Sequence, residues 1–322
     1  MEKKKAYLYC VVAAGAMLTL ILDTKTALVA GAEGVELCLK TLIPSLFPFF
    51  VVSSVLTSFL PGKYLRIIGF VAGYPVGAQC VSQAYSAGNL SKSSAERMLP
   101  CCSNAGPAFL FGIGAGLLPE LWMCWLLWGV HILSSFLLSA VTPAMKFPHN
   151  KNTYKSVSLN GALRQSMKAI SVVCGWVVMF RVILAFAKRW FLWLLPGDWE
   201  LVISGVLELA NGFAALKSVN SIGKCFVLMA SFLGFGGICV TMQTFGVISG
   251  RGLSGRYYFP GKITQGCISV LLATACQYIL SPEQRFFPSM WVIVICAVWC
   301  ICYALVLWRH KIGGRFSSLV RV

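Results

Sequence analysis

A chain of 322 residues that is 58% apolar and only 11% charged, with a strongly positive mean hydropathy, has too little polar surface to cover its core as a water-soluble domain and falls among membrane proteins. Its formal charge of +17 does not mark a nucleic-acid binder, because the basic residues are spread over loops and ends instead of lining one helix face between exposed aromatics. The fourteen cysteines lie mostly inside apolar runs and read as small buried thiols, not as a disulfide framework.

A bilayer core about 30 Å thick takes about 20 helical residues per crossing. The apolar runs predict crossings at 6–22, 35–60, 102–118, 120–142, 160–187, 222–247, 263–281 and 287–308, in an all-α, polytopic transmembrane bundle. The first run follows a basic MEKKK start, as a secretory signal does, but no small-x-small cleavage site precedes Asp23, and it reads as a retained span. The stretches 64–88 and 199–219 are apolar but interrupted midway by Gly, Pro or Asn, and read as re-entrant hairpins. SKSSAERML at 91–99 reads as a surface helix starting near Ser93, which has capping-box spacing to Glu96. A polar, basic, Pro-containing linker follows at 142–156. Trp122, Trp125 and Trp128, and Trp190, Trp193 and Trp199, fall near proposed outer ends, where interfacial aromatics gather.

Threading the segments in order puts Lys3–Lys5, Lys63, Arg66, Lys92, Arg97, Lys146, Lys151, Lys155, Arg251, Arg256, Lys262, Arg309, Lys311, Arg315 and Arg321 on one side, which the positive-inside bias makes cytoplasmic together with both termini. Lys25, Lys188, Arg189, Lys217, Lys224 and Arg285 fall opposite.

An internal duplication follows from the positions of the breaks. Gly77 lies sixteen residues beyond Pro61, and Gly212 sixteen beyond Pro196. Each break is followed by a second glycine-rich interruption, SNAGP at 103–107 and GFGG at 234–237, and each half opens with a helix that begins polar and turns apolar, at 34–50 and 161–180. A unit of three crossings plus a hairpin has odd parity, so the second copy must be inverted. The implied organisation is an N-terminal helix at 1–30, a first repeat at 31–142, a linker at 143–159, a second, inverted repeat at 160–282, and a C-terminal helix with a basic tail at 283–322. Inverted repeats with broken helices are the layout of many secondary transporters, in which the breaks meet near the midplane. Non-helical backbone is tolerated there only where protein or a watery cavity satisfies its polar groups. The bland alternative is that these glycines and prolines merely let helices pack closely.

No catalytic constellation is present: there is no HExxH, no GxxxxGK[ST] and no GxSxG. No metal site is expected either, since neither Cys101/Cys102 nor Cys300/Cys302 has a CxxC partner, and His131, His149 and His310 are scattered. The chain therefore reads as a non-enzyme without a cofactor. The candidate substrate-binding residues are those at the breaks: Gly73, Tyr74, Pro75, Gly77 and Gln79; Ser103, Asn104 and Gly106; and Glu208, Asn211 and Gly212. Ser103 and Asn104 fall where they would cap the next helix or meet a ligand at its N-terminus. Arg181 is the natural partner for Glu208, either as a structural pair or beside a pathway, because an ionisable group at membrane depth is costly and faces protein or water.

GYPVGAQ at 73–79, the helix SKSSAERML and CSNAGPAFLFG at 102–112 resemble the paired signature of the sporulation integral membrane proteins of the YlbJ type, and ELANG at 208–212 resembles the matching second-half signature. The likeness spans roughly residues 30 to 282. It implies a nucleoside-recognition or Gate domain in each half, also found in spore maturation proteins, the membrane part of ferrous-iron transporter B and concentrative nucleoside transporters. It further implies a cell-membrane protein of an endospore former that serves spore cortex formation. The partners it implies are the lipid bilayer, an unknown small solute and sporulation membrane proteins, and no nucleic acid. Two functions follow as alternatives: a transporter or exporter with alternating access, or a non-transporting scaffold for cortex-assembly proteins.

Overall fold

The computed structural model describes residues 2–59, 69, 73–86, 88–142, 158–195, 197 and 199–319, and every regular element among them is helical. The prolines at 61 and 196, the first arm of the 64–88 hairpin apart from Gly69, and the linker at 143–157 lie outside the described residues. The protein is an all-α polytopic membrane protein, with helices long and apolar enough to span a bilayer at Thr24–Val52, Leu121–Val141, Leu159–Trp190, Ile222–Ile248 and Met290–Trp308.

Helix α1 (Glu2–Leu22) meets α2 (Thr24–Leu37) at Asp23, whose carboxylate accepts the Thr26 N–H at 3.3 Å and starts α2. A π-helical turn at Cys38–Leu42 joins α2 to α3 (Ile43–Phe59). The second expected crossing thus begins near residue 24 rather than 35. Helix α4 (Val76–Ser86) is the second arm of the first hairpin, and α5 (Lys92–Cys102), α6 (Pro107–Ile113) and α7 (Leu121–Val141) follow. The second half comprises α8 (Leu159–Trp190), α9 (Trp199–Leu207), α10 (Leu209–Ala215), α11 (Ile222–Phe235), α12 (Gly237–Ile248) and α13 (Tyr258–Cys276), and α14 (Met290–Leu319) closes the chain.

Contacts along the helices fix their directions. At one end of the bundle Glu96 pairs with Arg256 at 3.2 Å and accepts the Ser254 N–H at 3.0 Å, while Arg251 donates to Ser82. At the other end Asp23 pairs with Arg189 at 2.8 Å, Lys188 pairs with Glu200, and Gln277 bonds to Gly223. The α5–α6 segment therefore runs from the Glu96 end to the Lys188 end, and α11–α12 runs the opposite way. The two halves are oppositely directed. The first hairpin's returning arm, α4, runs back towards the Glu96 end, and the α9–α10 hairpin starts from and returns to the Lys188 end. The long helices α2–α3 and α8 lie antiparallel, with Glu33 against Arg181, Gly34 against Val178 and Ser54 against Gln165.

Two expectations are corrected here. Residues 91–99 do not form a surface helix and 102–118 do not form an uninterrupted span. Helix α5 is buried at Ala95, Met98 and Leu99, and with the short α6 it makes one broken crossing. Its start is Ser91 and not Ser93, because Ser91 Oγ accepts the Ser94 N–H while the Glu96 carboxylate turns away to Ser254 and Arg256.

Candidate functional site between the breaks

Four interruptions converge in the middle of the bundle, and glycines set how closely they approach. A Cβ on Gly77 would run into the Cys102 carbonyl oxygen, and one on Gly73, at φ +69°, would come within 2.9 Å of the Gly106 nitrogen. In the second half a Cβ on Gly212 would strike Gly205, so the two arms of the α9–α10 hairpin cross where neither has a side chain. At Gly77 and Gly212 any side chain would therefore meet backbone.

At the first break, buried side chains satisfy the carbonyls left open at the end of α5. Asn104 Nδ2 donates to the Cys101 carbonyl at 2.8 Å and to Ser135 Oγ at 3.3 Å, and Asn104 Oδ1 accepts from Gln265 Nε2 at 2.9 Å. Ser135 donates to the same Cys101 carbonyl. The Ser103 hydroxyl lies 3.2 Å from the Tyr258 hydroxyl, to which Thr244 donates. The expectation that Ser103 and Asn104 cap the following helix is overturned: the N-cap of α6 is Gly106, Pro107 is its first residue, and Asn104 serves the helix behind it.

Two residues that sequence reasoning set aside belong to this cluster. Lys262, counted among the cytoplasmic charges, is fully buried, and its Nζ donates to the Ser103 carbonyl at 2.9 Å and to Gln265 Oε1 at 2.7 Å. His131, read as isolated, accepts the Ala105 N–H on Nε2 at 3.2 Å, and its buried Nδ1 has no partner. The signal for Lys262 was KITQ at 262–265, where Lys and Gln share a helix face three residues apart. Nothing in the sequence tied His131 to residue 105.

At the second break, Glu208 is the N-cap of α10, with its carboxylate accepting the N–H groups of Ala210 at 2.9 Å and Asn211 at 2.6 Å. The expected Arg181–Glu208 pair is not formed. Arg181 binds Glu33 at 2.7 and 3.1 Å and reaches Asn211 Oδ1 at 3.4 Å. A capped helix start already supplies Glu208 with two backbone donors, while Glu33 lies across the antiparallel α2–α8 contact.

A cavity of about 40 Å³ lies between the two breaks, lined by Gly73, Tyr74 and Gly106 from the first and by Glu208, Leu209 and Ala210 from the second. Val173 and Val177 of α8 also line it. They lie fourteen residues from the start of α8 and thirteen from its end, about 20 Å each way at 1.5 Å per residue, so the cavity is midway through the bundle. Gln243 adds a buried Oε1 with no hydrogen-bond partner. Tyr74 joins the halves by donating from its hydroxyl to the Leu233 carbonyl at 3.2 Å, near the end of α11. On the Lys188 side a cleft of about 530 Å³ opens, lined by Glu33, Arg181, Lys188, Glu200, Asn211 and Lys217. Asn211 is the wall of this cleft, and Glu208, which holds its backbone N–H, faces the cavity behind it.

Of the remaining candidates, Gln79 accepts from Gln165 Nε2 at 3.2 Å and does not line the cavity, while Pro75 leads directly into α4. No group of His, Cys, Asp or Glu among the described residues is arranged to hold a metal ion.

The chain is 21% identical, over an alignment of 342 residues that covers 84% of each protein, to the sporulation integral membrane protein YlbJ of Bacillus subtilis (strain 168). No family model matches the chain, and no solved structure matches it.

Proposed function

We propose that this protein is a sporulation-associated transporter or exporter of the cell membrane, with two Gate-like halves, that moves a small solute needed for spore cortex formation. The observation that carries this reading is the midplane cavity with one wall from each oppositely directed half. This is the arrangement by which secondary transporters alternate access around a fixed site. The likeness to YlbJ along most of both chains supports the sporulation context. The segregation of basic residues supports cytoplasmic termini. In this reading Glu208 is the group that meets the solute or its coupling ion, and Tyr74 and Asn211 close the cavity on its two sides.

A scaffold for cortex-assembly proteins is the second reading, favoured by how tightly glycines close the breaks and by how small the cavity is. The test is complementation of a Bacillus subtilis strain lacking YlbJ, with heat-resistant spores and membrane abundance measured together. Glu208→Gln keeps side-chain size and an oxygen that can accept the Asn211 N–H. The transporter reading expects normal abundance with at least a tenfold loss of heat-resistant spores, and wild-type spore counts at wild-type abundance contradict it.

A further inference from the structure

Lys262 sits one turn into α13 and is as buried as any residue in the protein. Its Nζ donates to two oxygen acceptors, the Ser103 carbonyl and Gln265 Oε1, and lies 5.6 Å from the centre of the Tyr74 ring, where a cation would meet the electron-rich face. Among the described residues no carboxylate pairs with it. The titratable groups that face it are Cys101 from α5, His131 from α7, Tyr74 from the first break and Tyr258 from its own helix; α14 brings Tyr303 beside the neighbouring Gly261. The glycine break at the end of α11 lies close to it, with the Lys262 Cε 3.6 Å from where a Cβ of Gly236 would be. A charge so placed is costly unless its donors are satisfied, and what meets it here is one backbone oxygen at the open end of a half-helix and one side-chain amide oxygen of its own helix. The C-terminal end of a helix carries partial negative charge. In transporters with broken helices, unwound carbonyls and half-helix C-termini coordinate the sodium ion or proton.

We infer that Lys262 is a tethered cation: its ammonium fills, at the break of the first half, the place where a free sodium ion would bind, so that this break is held together without sodium. Taken with the transporter reading, on which this consequence rests, sodium bound at the first break does not drive the cycle.

The test is thermal unfolding of the purified full-length protein in lipid nanodiscs, followed by its tryptophan fluorescence, in sodium, ammonium or choline chloride at equal ionic strength. A ligand that binds only the folded state raises the melting temperature with its concentration. The wild type is expected to melt within about 1 °C of the same temperature in all three salts. Lys262→Ala is expected to melt several degrees lower in choline and to recover at least half of that loss in sodium or ammonium. A wild type stabilised by sodium overturns the inference. So does a Lys262→Ala protein whose loss neither cation repairs, or one that melts with the wild type in choline. Should the variant fail to fold in choline, it is purified in sodium and in ammonium, and failure in both counts against the inference. A protein that transports nothing would give the same curves, so the result judges Lys262 separately from the proposed function.

Discussion

The two breaks differ in what closes them. At the first, the end of α5 is covered by donors from two other helices, Ser135 of α7 and Lys262 of α13, while Gln265 of α13 holds Asn104 in place. At the second, Glu208 spends its carboxylate on its own helix, the end of α11 is closed by Gly236 at φ +83° and the Tyr74 hydroxyl, and open space remains beside an unpartnered Gln243 oxygen. A buried lysine is fixed at one break, and a carboxyl group lines the cavity at the other. In the proposed transporter the first break would hold the halves together and the second would meet the solute.

The most damaging way to break this comparison is at the first joint's backbone. Gly77→Ala places a methyl on the Cys102 carbonyl, a backbone atom that cannot turn aside, and should cost at least the about 1–3 kcal/mol of an overpacked core. Little protein should then reach the membrane, as read by immunoblot. Gly175→Ala is the control, since nothing lies within 4 Å of its would-be Cβ, and a helix gains about 1 kcal/mol from that change.

Asn104→Ala should come next. It leaves the Gln265 amide unpaired and takes one donor from the Cys101 carbonyl in a sealed interior, at about 1–3 kcal/mol for each buried group left unsatisfied. The melting temperature in nanodiscs should fall clearly at unchanged secondary structure. A variant that melts with the wild type would mean the first joint is not what holds the halves.

The smallest effect should come from Arg181→Gln. The side chain of Arg181 is 29% exposed and that of Glu33 50%, and a pair so open to solvent is worth about 0–1 kcal/mol. Since Arg181 is not the partner of Glu208, neutralising it should not restore spores to Glu208→Gln. Restoration in the double variant would reinstate the pair that the sequence suggested.

What was legible in the sequence was whatever repeats locally. Apolar runs gave the long helices, and Gly and Pro pointed to the interruptions at 73–75, 103–106 and 236. The second hairpin was expected to break at Asn211 and Gly212, which instead lie inside α10, and the break falls at Glu208. What could not be read was every bond across more than a hundred residues. Arg181 reaches back 148 positions to Glu33 and Lys262 reaches back 159 to Ser103, and local spacing carries no trace of either. Lys262 misled for a further reason: near the start of a helix, a buried lysine and a topological one look alike. The capping roles of Ser91 and Asn104 were missed because Ser and Asn recur close together in both segments, and only geometry says which hydroxyl or amide meets which end.

The central claim is that the cavity beside Glu208 opens to water during a working cycle, and thiol labelling tests it most directly. Ala210, which lines the cavity and is 1% exposed, is replaced by Cys in a chain whose fourteen native cysteines are removed, and a membrane-impermeant thiol reagent is applied to either face of sealed vesicles. The account predicts reaction from both faces, slower than at the exposed position 217 but going to completion, because the wall at Asn211 and the latch at Tyr74 open in turn. No reaction from either face, over a time in which a cysteine at 217 is fully labelled, would contradict it and leave the breaks as packing.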